Sequence, residues 1–259
     1  MAYREDRDLA FLGEMDSKSL NDLVSLLIKD KDGEIRLTEE LTLSENYKKY
    51  SPDHQKYWRE IAAEIQCFGA NTIVTMFRGG KGVLYREVLE DAAGRFKAKY
   101  PKGSDVRNIE QSLLAQIWDQ SWRKMDKVDR DKLMKELKIR PDYFAGTGGA
   151  SLAAFQTLFT AGGFMSYQLT RVIANTVMRS LLGSGLSFAA NATLARTAAI
   201  LMGSVGWTFS GLWALGGIAG PAYRVTMPAV LQIALLRQQH ELELGKLWDS
   251  VEKELGIKN

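Results

Sequence analysis

Histidine and cysteine are scarce in this chain: 259 residues hold two histidines, His54 and His240, and one cysteine, Cys67. A single cysteine cannot close an internal disulfide, so nothing in the chain points to an oxidising compartment. Two histidines leave little room for His-rich metal sites or a Ser-His-Asp triad. Prolines number only five, which permits long helices. Charge is not scarce overall, at 25% of residues, but it is almost missing from one stretch. Residues 143–236 carry just four charged side chains: Arg171, Arg179, Arg196 and Arg224.

What remains is two unlike halves. Residues 1–45 are acidic, with 6 basic and 12 acidic side chains, and residues 78–140 are basic, with 16 against 10. The formal net charge of +3 sums over these parts and says little about partners. Thirteen of the 23 glycines fall in 143–236, among Ala, Ser, Thr and large apolar residues. The composition divides the chain into a short acidic module (1–45), a charged helical domain (46–142), a Gly/Ala-rich apolar block (143–236) and a polar C-terminal helix (237–259).

Apolar periodicity is helical throughout. Leu20, Leu23, Val24, Leu27 and Ile28 share one face, and Asp32-Gly33 signals the turn that ends their helix. Thr38 is placed to cap a short helix. Trp58, Ile61, Ile65, Phe68 and Ile73 line a helix from about 53 to 77. Tyr85, Val88, Leu89, Ala92 and Phe96 line the next. Ile109, Leu113, Leu114, Ile117, Trp118, Trp122 and Met125 make a wide stripe on a third, and a basic helix follows over about 127–138. The apolar block predicts helices over about 149–181 and 186–202 and an apolar segment around 207–219. A final helix spans about 229–255. No alternating strand pattern appears, so the fold class is all-α, a multi-helix bundle.

Few motifs carry chemistry. Arg78-Gly-Gly-Lys81-Gly82 precedes a helix, where Arg78 and Lys81 could hold an anion or lipid headgroup; the spacing fails the P-loop pattern, and a plain turn is the simpler reading. Asp30 to Glu34 hints at a calcium loop, but Ile35 stands where that loop needs glycine and Leu41 where it needs glutamate. His54 reads as a surface or helix-capping residue, His240 as a solvated one and Cys67 as a buried structural thiol. The aromatics of the basic segment fall on apolar stripes, which argues against nucleic acid as a partner. No metal, cofactor or catalytic constellation can be assembled, and the chain reads as a non-enzyme.

The apolar block gives the strongest functional signal. Its charge-poor runs, Tyr143–Thr170 and Thr197–Tyr223, exceed the roughly 20 residues needed to cross a bilayer, though Gly, Ser and Thr dilute them. Small residues four apart, such as Gly216 and Gly220, allow close helix packing, and Gly206 belongs to the same pattern. Trp207 and Trp213 could sit at headgroup level. Arg171 and Arg179 share a helix face, and with Arg196 they would lie at helix ends, at an interface contacting lipid headgroups, or in a polar lumen. These features favour a membrane-associating, oligomeric or pore-forming block regulated by the polar N-terminal part. The alternative is a soluble chaperone or adaptor for a membrane-complex subunit, with the block as buried core or client groove. Membrane lipid, further copies of the chain, or a protein client would be the partners. The acidic start lacks a secretory signal, so cytoplasmic synthesis followed by inner-membrane association is expected.

Several passages resemble the bacterial YaaW-like family, labelled ubiquinol–cytochrome c chaperone. They are Arg78-Gly-Gly-Lys-Gly-Val-Leu-Tyr-Arg-Glu-Val-Leu89, Ile109-Glu-Gln-Ser-Leu-Leu114 with Trp122-Arg-Lys-Met125, and Ala222-Tyr-Arg-Val-Thr-Met-Pro-Ala-Val-Leu-Gln-Ile233. Within the last, Tyr223, Arg224 and Pro228 are the most specific. The start, Tyr3 to Leu12, resembles the short domain of unknown function that often precedes this family. The resemblance implies a helical bacterial protein and carries over no catalytic residue. Under a chaperone role, the apolar block would be the client-binding or membrane-docking surface.

Overall fold

The structure, a computed structural model, describes residues 2–30, 32–36, 40–69, 82–139, 152–182, 195–203 and 223–255. These residues form helices and connecting turns, with no strand among them, only isolated bridges such as the one between Lys29 and Ile35. The all-α reading therefore stands.

The helices are α1 (Ser17–Ile28), α2 (Glu45–Tyr50), α3 (Trp58–Gly69), α4 (Tyr85–Arg95), α5 (Val106–Lys124), α6 (Lys127–Leu137), α7 (Leu152–Ala161), α8 (Gly163–Leu182), α9 (195–203) and α10 (Tyr223–Leu255). Short polar side chains start several of them. Asp16 accepts from Ser19 N, Asp105 from Asn108 N and Asp126 from Asp129 N, at 2.7–2.8 Å. Each such cap satisfies a backbone donor that the first helical turn leaves open.

Two breaks differ from the periodic reading. The single helix expected over 149–181 is two, because Gly162 and Gly163 adopt φ of +67° and +68°, a left-handed conformation that costs residues with a Cβ and ends the helix. Conversely, α10 starts at Tyr223 and runs through Pro228, its sixth residue. Proline there removes the backbone donor that would meet the carbonyl four residues earlier, so α10 continues with one bond of its ladder missing.

One apolar cluster runs from Leu9 to Leu236. Tyr85, Phe96, Trp118 and Trp122 lie in it, as their stripes predicted. Trp118 and Trp122 both pack on Phe155, with centroids 5.7 and 5.9 Å apart, joining α5 to α7. Helix α10 runs through the middle of the assembly and packs against α1, α3, α4, α5 and α8. Its residues 225–236 are buried throughout.

The α8–α10 seam is unusually polar. Ser166, Thr170, Asn175, Thr176 and Gln232 are all buried there or beside it. Ser166 donates to Gln238 Oε1 at 3.3 Å, and the Thr170 hydroxyl lies 3.1 Å from the same oxygen. These groups dilute α8, and no described helix is long and apolar enough to cross a membrane.

Candidate functional site

The N-terminal segment is threaded into the helices by polar contacts. Gln66 of α3 is fully buried, accepts from Arg4 N at 3.0 Å and donates to Arg4 O at 2.8 Å. Its side-chain amide thus pairs with the segment as a neighbouring backbone would. Asp6, also buried, accepts from Asp8 N at 3.0 Å and from Tyr85 N at 2.7 Å. Leu84 precedes α4 and cannot cap it; Asp6 does so from a distant part of the chain, while Glu87 accepts from Leu84 N at 3.2 Å.

Four elements meet at a buried ion pair. Glu110 of α5 is 2% exposed and Arg237 of α10 is 14% exposed, with Nε 3.0 Å from Oε2. Tyr85 donates to the other Glu110 oxygen at 2.7 Å. Arg237 Nη2 donates to Asp8 O at 2.8 Å, and its guanidinium lies 4.5 Å from the Phe11 ring centroid, in cation–π range. Burial pushes the Glu110 carboxyl above its ordinary range, and Arg237 and Tyr85 pull it back only in part. Burial also opposes the Arg237 charge, but Glu110 and Tyr85 outweigh it and hold that group above its ordinary value. The Tyr85 phenol is pushed up by burial and remains a donor.

Beyond this anchor the helix leaves the body. Residues 237–242 are half-buried and 243–250 exposed. At 100° per residue, Arg237, His240, Leu244, Leu247 and Trp248 fall on one face. Its first part packs on the N-terminal segment: His240 Nε2 lies 3.0 Å from Glu14 Oε2, and its ring is 5.9 Å from Phe11. Its continuation is apolar and bare, with Leu244, Leu247 and Trp248 exposed by 41%, 59% and 66%. A soluble helix ordinarily turns such a stripe toward a partner.

Residues singled out in the sequence fare unevenly. Arg171 and Arg179 are half-buried on α8, and Arg179 Nε is enclosed without a hydrogen-bond acceptor among the described residues. Arg196 reaches out of α9 to Glu136 of α6 at 3.1 Å. Tyr223 and Arg224 open α10, and Pro228 is buried in it. Thr38, Arg78, Lys81, Gly206, Gly216, Gly220, Trp207 and Trp213 lie outside the described residues.

His54 corrects the surface reading: it is buried, bonded through Nδ1 to the Tyr57 hydroxyl, and burial pushes its pKa down. His240 is likewise packed rather than solvated. Sequence reasoning misses both the Glu110–Arg237 pair and the bare stripe. The pair leaves no local signal, since its partners are 127 residues apart. The stripe is legible in the spacing of Leu244, Leu247 and Trp248, but hidden by the charges at Glu241, Glu243, Lys246 and Asp249 around it.

Comparison with known proteins decides the family. A family described as "Ubiquinol-cytochrome C chaperone" matches residues 53–231, and a domain of unknown function matches residues 3–37. The chain belongs to the ubiquinol-cytochrome C chaperone family. Among its relatives is a UPF0174 protein of Helicobacter pylori strain J99, 44% identical over 92% of this chain and 93% of its own length. A UPF0174 protein of H. pylori strain ATCC 700392 is 38% identical over 78% of this chain and 97% of its own. The UPF0174 protein YaaW of Escherichia coli K12 is 34% identical over 91% of this chain and 95% of its own. No solved structure matches the chain significantly.

The family membership overturns the pore-forming reading of the apolar block. The family is described as chaperones, and no described helix could span a bilayer. Membrane lipid and further copies of the chain lose their support as partners, and a protein client gains it. Physically, a charge-poor helix such as α8 is accounted for by its burial against α10 within the protein.

Proposed function

We propose that this chain is a binding protein rather than a catalyst, a chaperone or adaptor for a subunit of a membrane complex. The apolar stripe of α10 would hold a helical segment of that client. The observation that carries this reading is the bare face Leu244–Leu247–Trp248, which continues a face already packed on the N-terminal segment. The occupant this geometry favours is an amphipathic client helix, laid against the stripe with its own apolar residues inward. The family description supports a client but does not identify one.

The test uses the full chain with the double substitution Leu247→Asp and Trp248→Asp. Both side chains are exposed, so the melting temperature stays where it is. Binding of a fluorescent peptide with an amphipathic helical pattern, followed by anisotropy, should weaken by at least about tenfold, the equivalent of about 1.4 kcal/mol. Unchanged binding by the variant, or no binding of such peptides by the native chain, removes the reading.

A further inference from the structure

A basic pocket of about 400 Å³ lies between the loop after α4 and the flank of α5. Lys97 and Lys99 come from the loop. Gln116, Asp119, Gln120 and Arg123, three and four residues apart, share one face of α5. Leu152, at the start of α7, adds an apolar contact. The volume lies in the range of small-ligand sites. It sits along α5 beyond Glu110, away from the Arg107–Glu241 pair that marks where the α10 overhang begins.

The charges do not balance. Arg123 is held by Asp119 at 2.9 Å, while neither Lys97 nor Lys99 has an ion pair among the described residues. Three cations thus face one carboxylate. Lys97 also stands where a lysine is costly: it follows α4 with φ of +57°, the left-handed position that glycine takes readily. A glycine would relieve the backbone there, so the ammonium is present at the expense of local comfort. Gln120 donates its Nε2 to Phe96 O at 3.0 Å, which fixes its amide and leaves the oxygen as the acceptor it can offer.

We propose that this pocket binds an acidic peptide segment, its carboxylate on Lys97 and Lys99 and its main chain on Gln116 and Gln120. A carboxylate carried on a peptide is favoured over a bare phosphate, because only the peptide brings a main chain to the two amides beside its charge. The two amides match the alternating donors and acceptors of a peptide backbone. The proposal rests on the protein-client reading and adds a second contact, chemically unlike the apolar stripe.

Fluorescence anisotropy on the full chain tests it with four probes: an acetylated and amidated peptide rich in Asp and Glu, its Asn and Gln counterpart, an apolar peptide with a free C-terminal carboxylate, and inorganic phosphate as competitor. The acidic peptide should saturate, with its neutral counterpart at least about tenfold weaker. Tight binding of the free-terminus peptide also supports the pocket and names the terminal carboxylate as a source. Lys97→Glu with Lys99→Glu should abolish binding. Lys97→Gly should weaken binding while raising the melting temperature, a pairing that a merely structural lysine would not give. Equal binding of the neutral peptide, full competition by phosphate at equimolar concentration, or no effect of the lysine substitutions overturns the proposal. Leu247→Asp with Trp248→Asp should leave acidic-peptide binding intact, so failure of the stripe and failure of the pocket are read separately.

Discussion

Arg237 is worth more to this fold than its position on a polar-looking tail suggests. Its guanidinium answers the Glu110 carboxylate, the Asp8 carbonyl and the Phe11 ring together. Arg237→Met would leave Glu110 enclosed with only Tyr85 for company. Removing one partner of a buried pair costs about 3–5 kcal/mol. The loss should depend on pH. The folded-state pKa of Glu110 already lies above its ordinary 4.5 through burial, and removing the cation raises it further. The folded state then binds more protons than the unfolded one, so stability falls as pH rises through the window above 4.5. Urea denaturation should therefore show Arg237→Met losing least near pH 4.5 and most near neutrality. Adding Glu110→Gln should abolish that extra slope; a slope that survives would place its source elsewhere.

Gly82 shows what a sequence reading can and cannot see. It ends the Arg78-Gly-Gly-Lys-Gly82 passage, where glycine reads as a turn or an anion cradle. The structure shows a steric reason for it instead. A Cβ would overlap the carbonyl of Gln66, while Val83 N donates to that same carbonyl at 3.1 Å. Gly82→Ala should destabilise by about 3 kcal/mol, at the upper end of overpacking, measured by chemical denaturation. A near-neutral result would mean that α3 and the α4 entry separate easily. Glycine is visible in the sequence, but its neighbour, 16 positions away, is not.

At the level of elements, apolar spacing locates α1, α4 and α5 closely, because each has one face against the core. Spacing locates breaks less well. The α7–α8 junction is invisible because Ala, Thr and Phe continue a helical pattern right up to Gly162. The start of α10 is placed late because Pro228 reads as a stop, although α10 runs through it. The junction makes a direct prediction. Gly162→Ala and Gly163→Ala would each force a Cβ into φ near +67°, at about 1–2 kcal/mol per residue. The double variant should melt lower by thermal denaturation, with helical circular dichroism retained or slightly increased as α7 and α8 gain reason to fuse. An unchanged melting temperature would show that the junction carries no left-handed requirement.

Across the whole molecule, α10 organises both the core and the site. With 33 residues at about 1.5 Å each, it is about 50 Å long, and its two ends live in different surroundings. From Val225 to Leu236 it is enclosed, so its apolar residues contribute to folding. From Glu243 to Ser250 every residue is exposed, so that stretch adds little buried surface and little stability. The anchor at Arg237 holds the junction between the two, and a rigid helix carries the bare stripe outward without ordering it anew on binding. Ending the chain after Leu242 should therefore leave the unfolding free energy within about 0.5 kcal/mol of the full chain, as for surface changes, with the same urea dependence. The same truncation should remove amphipathic-peptide binding and spare acidic-peptide binding. A truncated chain that melts several degrees lower would show the overhang to be folded against the body, and the stripe would then be core rather than a docking face.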